Sequence, residues 1–286
     1  MKTCILTDTN SGITPEIAKE MGVEVLKMPV IINGETYYEG DTITDKQFYE
    51  YQNNDADITT SQVSPGVVTQ TWDNLLKVYD AIIYIPMSSG LSQSCDIAKI
   101  LAEDYKGKVF VLDNKRISVT QRNSVEDALN LIKEGKTAEQ IYNILLKESR
   151  NNMIFIMVDT LKELKKGGRV TAAGAALGAT FHIKPILKIE GGKLDAYAKS
   201  IGVKKAKLTM LNAIKEYREN EFKDFKDDEL QYDVAYTNNL EDAKVWKQEV
   251  EDFFNIKVCH FDPLSLSIAT HIGSGALAVT ISRRLK

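Results

Sequence analysis

The stretch KTCILTDTNSGITPEIAKEM, residues 2–21, decides the fold. Residues 2–7 are a short apolar run, Asp8-Thr9-Asn10-Ser11-Gly12 is a cluster of small polar residues, and residues 14–21 repeat apolar side chains at helical spacing. A strand, a polar turn and a helix in that order are the opening unit of an α/β fold. The alternation recurs downstream, with strands predicted at 23–28, 81–85 and 109–112 and helices at 65–79, 92–105, 118–133 and 137–149. This half reads as a three-layer α/β/α domain around a parallel sheet, spanning residues 1–150.

A second unit opens with the strand at 152–158, which places the domain boundary near residue 150. Further strands are predicted at 183–189, 193–198, 233–237, 256–260 and 276–281, with long helices at 204–219 and 240–254. The strands at 183–189 and 193–198 are separated by Glu190-Gly191-Gly192, a hairpin signal. Residues 151–286 therefore read as an α/β domain with a mixed sheet.

Composition narrows the function. The 286 residues are 43% hydrophobic and carry a net charge of -4, so the chain can bury cores and its overall field repels nucleic acid. The longest apolar runs fall far short of the roughly 20 residues needed to span a bilayer, and no secretory segment is readable, so the cytoplasm is the expected compartment. Three widely spaced cysteines, Cys4, Cys95 and Cys259, fit neither a disulfide framework nor a cysteine zinc site.

In an open parallel sheet, ligands bind beyond the carboxyl ends of the strands. Those ends here are Asp8-Thr9-Asn10-Ser11-Gly12, Met87-Ser88-Ser89-Gly90-Leu91-Ser92 and Asp113-Asn114-Lys115, all dense in small polar groups. Thr59-Thr60-Ser61-Gln62-Val63-Ser64-Pro65 adds a fourth cluster, in which Ser64 and Pro65 mark a helix start. Ser64 is accounted for as a cap; Thr60, Ser61 and Ser92 exceed what capping needs. Among the histidines, His182 and His260 sit in apolar surroundings and read as structural. His271 stands beside Gly273 and Gly275, where backbone freedom allows close approach to another group.

Lys165-Lys166-Gly167 has the form of a helix C-terminus, with cations facing the dipole and glycine turning the chain. Arg169 follows the turn, serves no cap and is a candidate anion or partner contact. Residues 171–181 form a helix-like run of small side chains, read either as close packing or as a wall for an apolar ligand tail. No nucleotide-binding glycine loop, His-Glu-x-x-His or Gly-x-Ser-x-Gly elbow is present. A hydrolase or phosphotransferase using Ser92 or Ser61 with His271 stays open, although no acid can be assigned to orient the histidine.

Taken in order, the Asp8–Ser11 turn, Thr60-Ser61-Gln62, Ser88–Ser92, the segment from Leu161 through Arg169, Ile183-Lys184-Pro185-Ile186-Leu187 and His271-Ile272-Gly273-Ser274-Gly275-Ala276 resemble the DegV family of bacterial fatty-acid-binding proteins. That family includes the FakB-like subunits of fatty acid kinase, and the resemblance covers essentially the whole chain. It implies a two-domain carrier without catalytic residues, metal or cofactor. The fatty acid carboxyl would be held between the domains by Thr60, Ser61, Ser92 and His271, and the acyl chain would be buried in the second domain. Arg169 would lie at the pocket mouth where a separate ATP-dependent kinase docks to form the acyl phosphate, and transient membrane contact is compatible with that role. The sequence departs from the family pattern at Gly12, Val63, Gln93, Ser94 and Ser274. Gln93 matters most, because a glycine's freedom beside Ser92 is lost there.

Overall fold

The computed structural model describes residues 2–169 and 183–285. The small-residue run at 171–181 and His182 lie outside the described residues. In the first half, β1 (Thr3–Asp8) lies between β2 (Glu24–Leu26) and β6 (Ala81–Ile85), with β7 (Val109–Val111) beyond β6, all parallel. Side chains alternate across this sheet. Ile5, Ile83 and Ile85 meet Val125, Leu131 and Ile141 of the helices Val119–Lys133 and Ala138–Lys147. Leu6, Ile82 and Tyr84 face the other way, against Trp72 and Cys95 of the helices Pro65–Leu75 and Ser94–Ala102. The expected three layers are present.

A small antiparallel sheet was not foreseen. It consists of β3 (Pro29–Ile32), β4 (Glu35–Tyr38) and β5 (Ile58–Thr60), in the order β4-β3-β5. The run predicted as one strand at 23–28 ends at Leu26, and the chain re-enters as β3 at Pro29, a residue sheets accept at a strand's first position. Val30, Ile32 and Ile58 of this sheet share a core with Phe48 from the helix Asp45–Asn53 and with Leu266 and Ala269 from the other half of the chain.

The second half builds a six-stranded sheet from β8 (Asn152–Met157), β9 (Ile183–Glu190), β10 (Lys193–Ile201), β11 (Leu230–Tyr236), β12 (Phe261–Pro263) and β13 (Leu277–Arg283). The order is β10-β9-β8-β13-β11-β12, antiparallel except for the parallel pair β11 and β12, so the sheet is mixed as expected. The β9–β10 hairpin turns through Gly191 and Gly192 at φ of 58° and 78°. The last short strand is displaced from its predicted place at 256–260. There the Asp233 carboxylate takes the His260 amide (3.1 Å), and regular pairing with β11 starts only at Phe261.

The β8 run is buried on both faces, with different partners. Met153, Phe155 and Met157 face the helices Val203–Asn220 and Leu240–Phe254. Ile154, Ile156 and Val158 face inward, in a cluster with Leu164, Ile189, Leu194, Ile268 and Ile272. That second cluster forms the apolar side of a cavity between the sheets.

Candidate functional site

The helix Leu266–Ile272 builds the centre of the site, and its residues explain its placement. Ser265 caps it by accepting from the Ile268 amide (3.4 Å), and Gly273 ends it. Its buried Leu266 and Ala269 pack on β3 and β5, which brings His271 to Thr60 at the end of β5. Thr60 Oγ1 and His271 Nε2 are 2.8 Å apart. His271 is the penultimate residue of this helix, and the nearby Gly273 ends it.

Burial drives the His271 pKa down to about 4, and the charge of Arg169 pushes in the same direction. The imidazole is therefore neutral at neutral pH. With its proton on Nε2, it donates to Thr60 Oγ1 and leaves the Thr60 hydroxyl proton free for an acceptor in the cavity. His271 Nδ1 is buried without a hydrogen-bond partner.

The loop after β6 supplies Ser92. Its Oγ lies 2.8 Å from Ser94 Oγ and accepts from the Ser94 amide (3.2 Å). Ser61 is exposed and donates to the Gln62 carbonyl (3.1 Å). Arg169 donates to the Gly167 carbonyl (2.6 Å). Thr60, Ser61, Ser92, Arg169 and His271 all line one cavity of about 100 Å³. Ser92 and Arg169 also border an open polar groove next to it, with Ser89, Gly90 and Gly168.

Several lining residues were not singled out in the sequence. Asn10 is held by a network in which its Oδ1 accepts from Ser265 (3.1 Å) and Ser267, and its amide donates to Asp8 (3.0 Å). Asp8 is fully buried and also accepts from the Met87 amide (3.0 Å) and Gln121 (3.2 Å). Burial raises its pKa, against the pull of those hydrogen bonds. The polar strand end Asp8–Ser11 was legible as a ligand-side turn; the pairing of Asn10 with Ser267, 257 positions away, was not.

The site can pair an anionic or polar head group with donors such as Thr60, Ser92 and Arg169 and cover an apolar extension with Ile117, Leu164, Ile189 and Leu194. It lacks the bonds of a serine hydrolase. Among the described residues neither Ser61 nor Ser92 is bonded to His271, whose Nε2 goes to Thr60 and whose Nδ1 meets no carboxylate.

A parallel three-layer unit and a mixed six-stranded sheet, with a cavity lined by both polar and apolar residues, define the class of protein. The chain belongs to the DegV family, whose model matches residues 2–284. A DegV domain-containing protein of Staphylococcus aureus is 27% identical over 285 residues, covering 99% of both chains. One from Streptococcus pyogenes is 29% identical over 296 residues, covering 100% of both. Among solved structures, a DegV family protein from Thermus thermophilus, described by its fatty acid binding, superposes with a TM-score of 0.89 at 26% identity and covers 99% of this chain and 100% of its own. DegV of Bacillus subtilis, a fatty acid binding protein, gives 0.84 at 26% identity with the same coverage. No helix among the described residues is long and apolar enough to cross a membrane.

Proposed function

We propose that this protein binds a long-chain fatty acid, with the carboxylate at Thr60, Ser61, Ser92 and His271 and the acyl chain against the inner face of the six-stranded sheet. The observation that carries this reading is that those four residues and Arg169 line one cavity together with the apolar Ile117, Leu164, Ile189 and Leu194. The fatty acid binding described for structural neighbours at 26% identity supports it.

The division of labour follows from magnitudes. Burying a sixteen-carbon chain gains about 12 kcal/mol gross at about 0.8 kcal/mol per methylene, before the costs of association. The tail supplies affinity, and the head group fixes register, since a buried carboxylate without donors carries a heavy penalty. In this reading the cavity of about 100 Å³ takes the head group and first methylenes, and the rest of the chain is buried in the second domain.

In this reading the two domains divide near residue 150, the strands of the first two sheets lying before Leu112 and those of the third after Asn151. The protein works in the cytoplasm as a carrier without chemistry of its own. It presents the carboxylate at the polar groove by Ser92 and Arg169 to a separate kinase. There a carboxylate oxygen attacks the γ-phosphorus of ATP held by that kinase, ADP leaves, and the acyl phosphate stays bound to this chain.

Mass spectrometry of the solvent extract from natively purified protein tests the carrier reading. A stoichiometric fatty acid is expected. Protein that carries none and takes up none of a series of added chain lengths overturns it.

A further inference from the structure

Two adjacent glycines end the helix Lys162–Gly167, and one suffices for the cap. Gly168 is the residue that turns the chain, with φ of 66° and its amide bonded to the Leu164 and Lys165 carbonyls. The sequence suggests that Gly167 turns the chain, but it is the last helical residue, and its backbone does not need a glycine. The reason for a glycine there lies across the helix interface. A Cβ on Gly167 would stand 2.2 Å from His271 Nδ1, 3.0 Å from Cε1 and 3.4 Å from Cγ. The helices Lys162–Gly167 and Leu266–Ile272 pack against each other, and the ring of His271 occupies the space a side chain would fill.

We infer that Gly167 is a positioning residue of the head-group site: its missing side chain is the slot that seats the His271 imidazole and aims Nε2 at Thr60. The inference rests on the fatty acid reading for its effect on binding, and on geometry alone for its effect on the ring. Nδ1 is buried against this backbone with no partner, so no hydrogen bond on that side fixes the ring; the fit against Gly167 does. Any side chain at 167 pushes the imidazole out of line with Thr60 and toward solvent.

Gly167→Ala is a discriminating variant because the backbone there is helical and accepts alanine without strain. Palmitate is the probe, measured against wild type, G167A, H271A and the double variant. G167A is expected to weaken binding about tenfold, and to change it less than about twofold once His271 is already alanine, because the effect passes through the ring. Equal losses in both backgrounds, or wild-type binding by G167A, overturn the inference. NMR titration of the His271 ring in ligand-free protein gives a readout that simple destabilisation does not move: in G167A the ring titrates nearer the ordinary histidine value. Superimposable titrations overturn the inference as well. If G167A fails to fold, the double variant is expected to fold, since the clash is gone; failure of both counts against the proposal. Should wild type bind no palmitate, the fatty acid reading falls and the ring titration still decides the role of Gly167.

Discussion

Neutrality is what the environment of His271 enforces. Burial and the nearby Arg169 charge lower its pKa from 6.5 to about 4, so it enters the proposed site as a hydrogen-bond donor and not as a cation. Fatty acid affinity is therefore expected to stay flat between about pH 6 and 8, where the ring does not titrate. His271→Ala is expected to cost about 1–3 kcal/mol of that affinity, the range for leaving the Thr60 hydroxyl without its partner, with the fold intact. An isothermal titration series over pH checks both; a steep rise in affinity on acidification through pH 6.5 contradicts a neutral ring. The linkage to stability has a definite sign. Between pH 6.5 and about 4 the unfolded chain binds a proton at this position that the folded chain refuses, so stability falls as pH drops through that window. Urea midpoints of wild type and His271→Ala should diverge there, with the wild type losing more.

Among the elements, the β9–β10 hairpin is tied closely to the other half of the chain. Gly192 sits at φ +78°, where a Cβ would lie 2.0 Å from Ser88 Oγ and 3.0 Å from Lys115 Cα. Ser88 Oγ donates to the Gly192 carbonyl (2.9 Å) and accepts from the Gly90 amide (3.1 Å). The hairpin strands carry Ile189 and Leu194 into the cavity wall, so this contact holds one wall of the site in place. Gly192→Ala combines backbone strain with a clash and is expected to cost about 2–4 kcal/mol, whereas Ser88→Ala loses about 1 kcal/mol. Denaturant midpoints test the contrast, and a Gly192→Ala protein within about 0.5 kcal/mol of wild type refutes the tight fit. The hairpin itself was legible, because Gly191-Gly192 between two apolar runs is a local signal; its docking on Ser88 was not, because nothing local encodes a partner 104 positions away. The same distinction runs through the fold. Ala81–Ile85 and Leu240–Phe254 were bounded correctly from pattern alone. The sheet β4-β3-β5 escaped because its strands are three or four residues long, too short to show a period. The seven-residue helix Leu266–Ile272 escaped likewise, being held by tertiary burial of Leu266 and Ala269 more than by its own signals. Thr60, Ser92 and His271 could be nominated as polar residues in excess of capping needs, while Gly167 looked like an ordinary helix end until His271 was seen against it.

For the molecule as a whole, what couples the two halves is a buried polar seam on the helix Val119–Lys133. One face of that helix packs Val125, Ala128 and Leu131 on the parallel sheet. Its other face turns Asn123 to the six-stranded sheet, donating to Asp233 (2.8 Å) and Ser282 (2.9 Å) and accepting from Gln231 (2.6 Å). Asp233 is fully buried and also accepts from Thr280 (3.2 Å) and Gln231 (3.1 Å); burial raises its pKa against these bonds and the His260 charge. Arg122–Asp262 (2.8 Å) and His260–Glu126 (3.1 Å) continue the seam toward its edge. A polar seam satisfied on both sides binds its halves more specifically than an apolar one, since any sliding leaves several buried groups unpaired at about 1–3 kcal/mol each. Asn123→Ala removes three of these bonds at once and is expected to cost about 2–4 kcal/mol. Because the loss falls on the coupling and not within either core, the wild type should unfold in one calorimetric transition, and the variant should show a calorimetric enthalpy exceeding the van't Hoff value as the halves come apart separately. If Asn123→Ala keeps a single transition within about a degree of the wild-type Tm, the seam does not join the halves, and the cavity between them must be held by the Ser88–Gly192 contact and the helix Leu266–Ile272 instead.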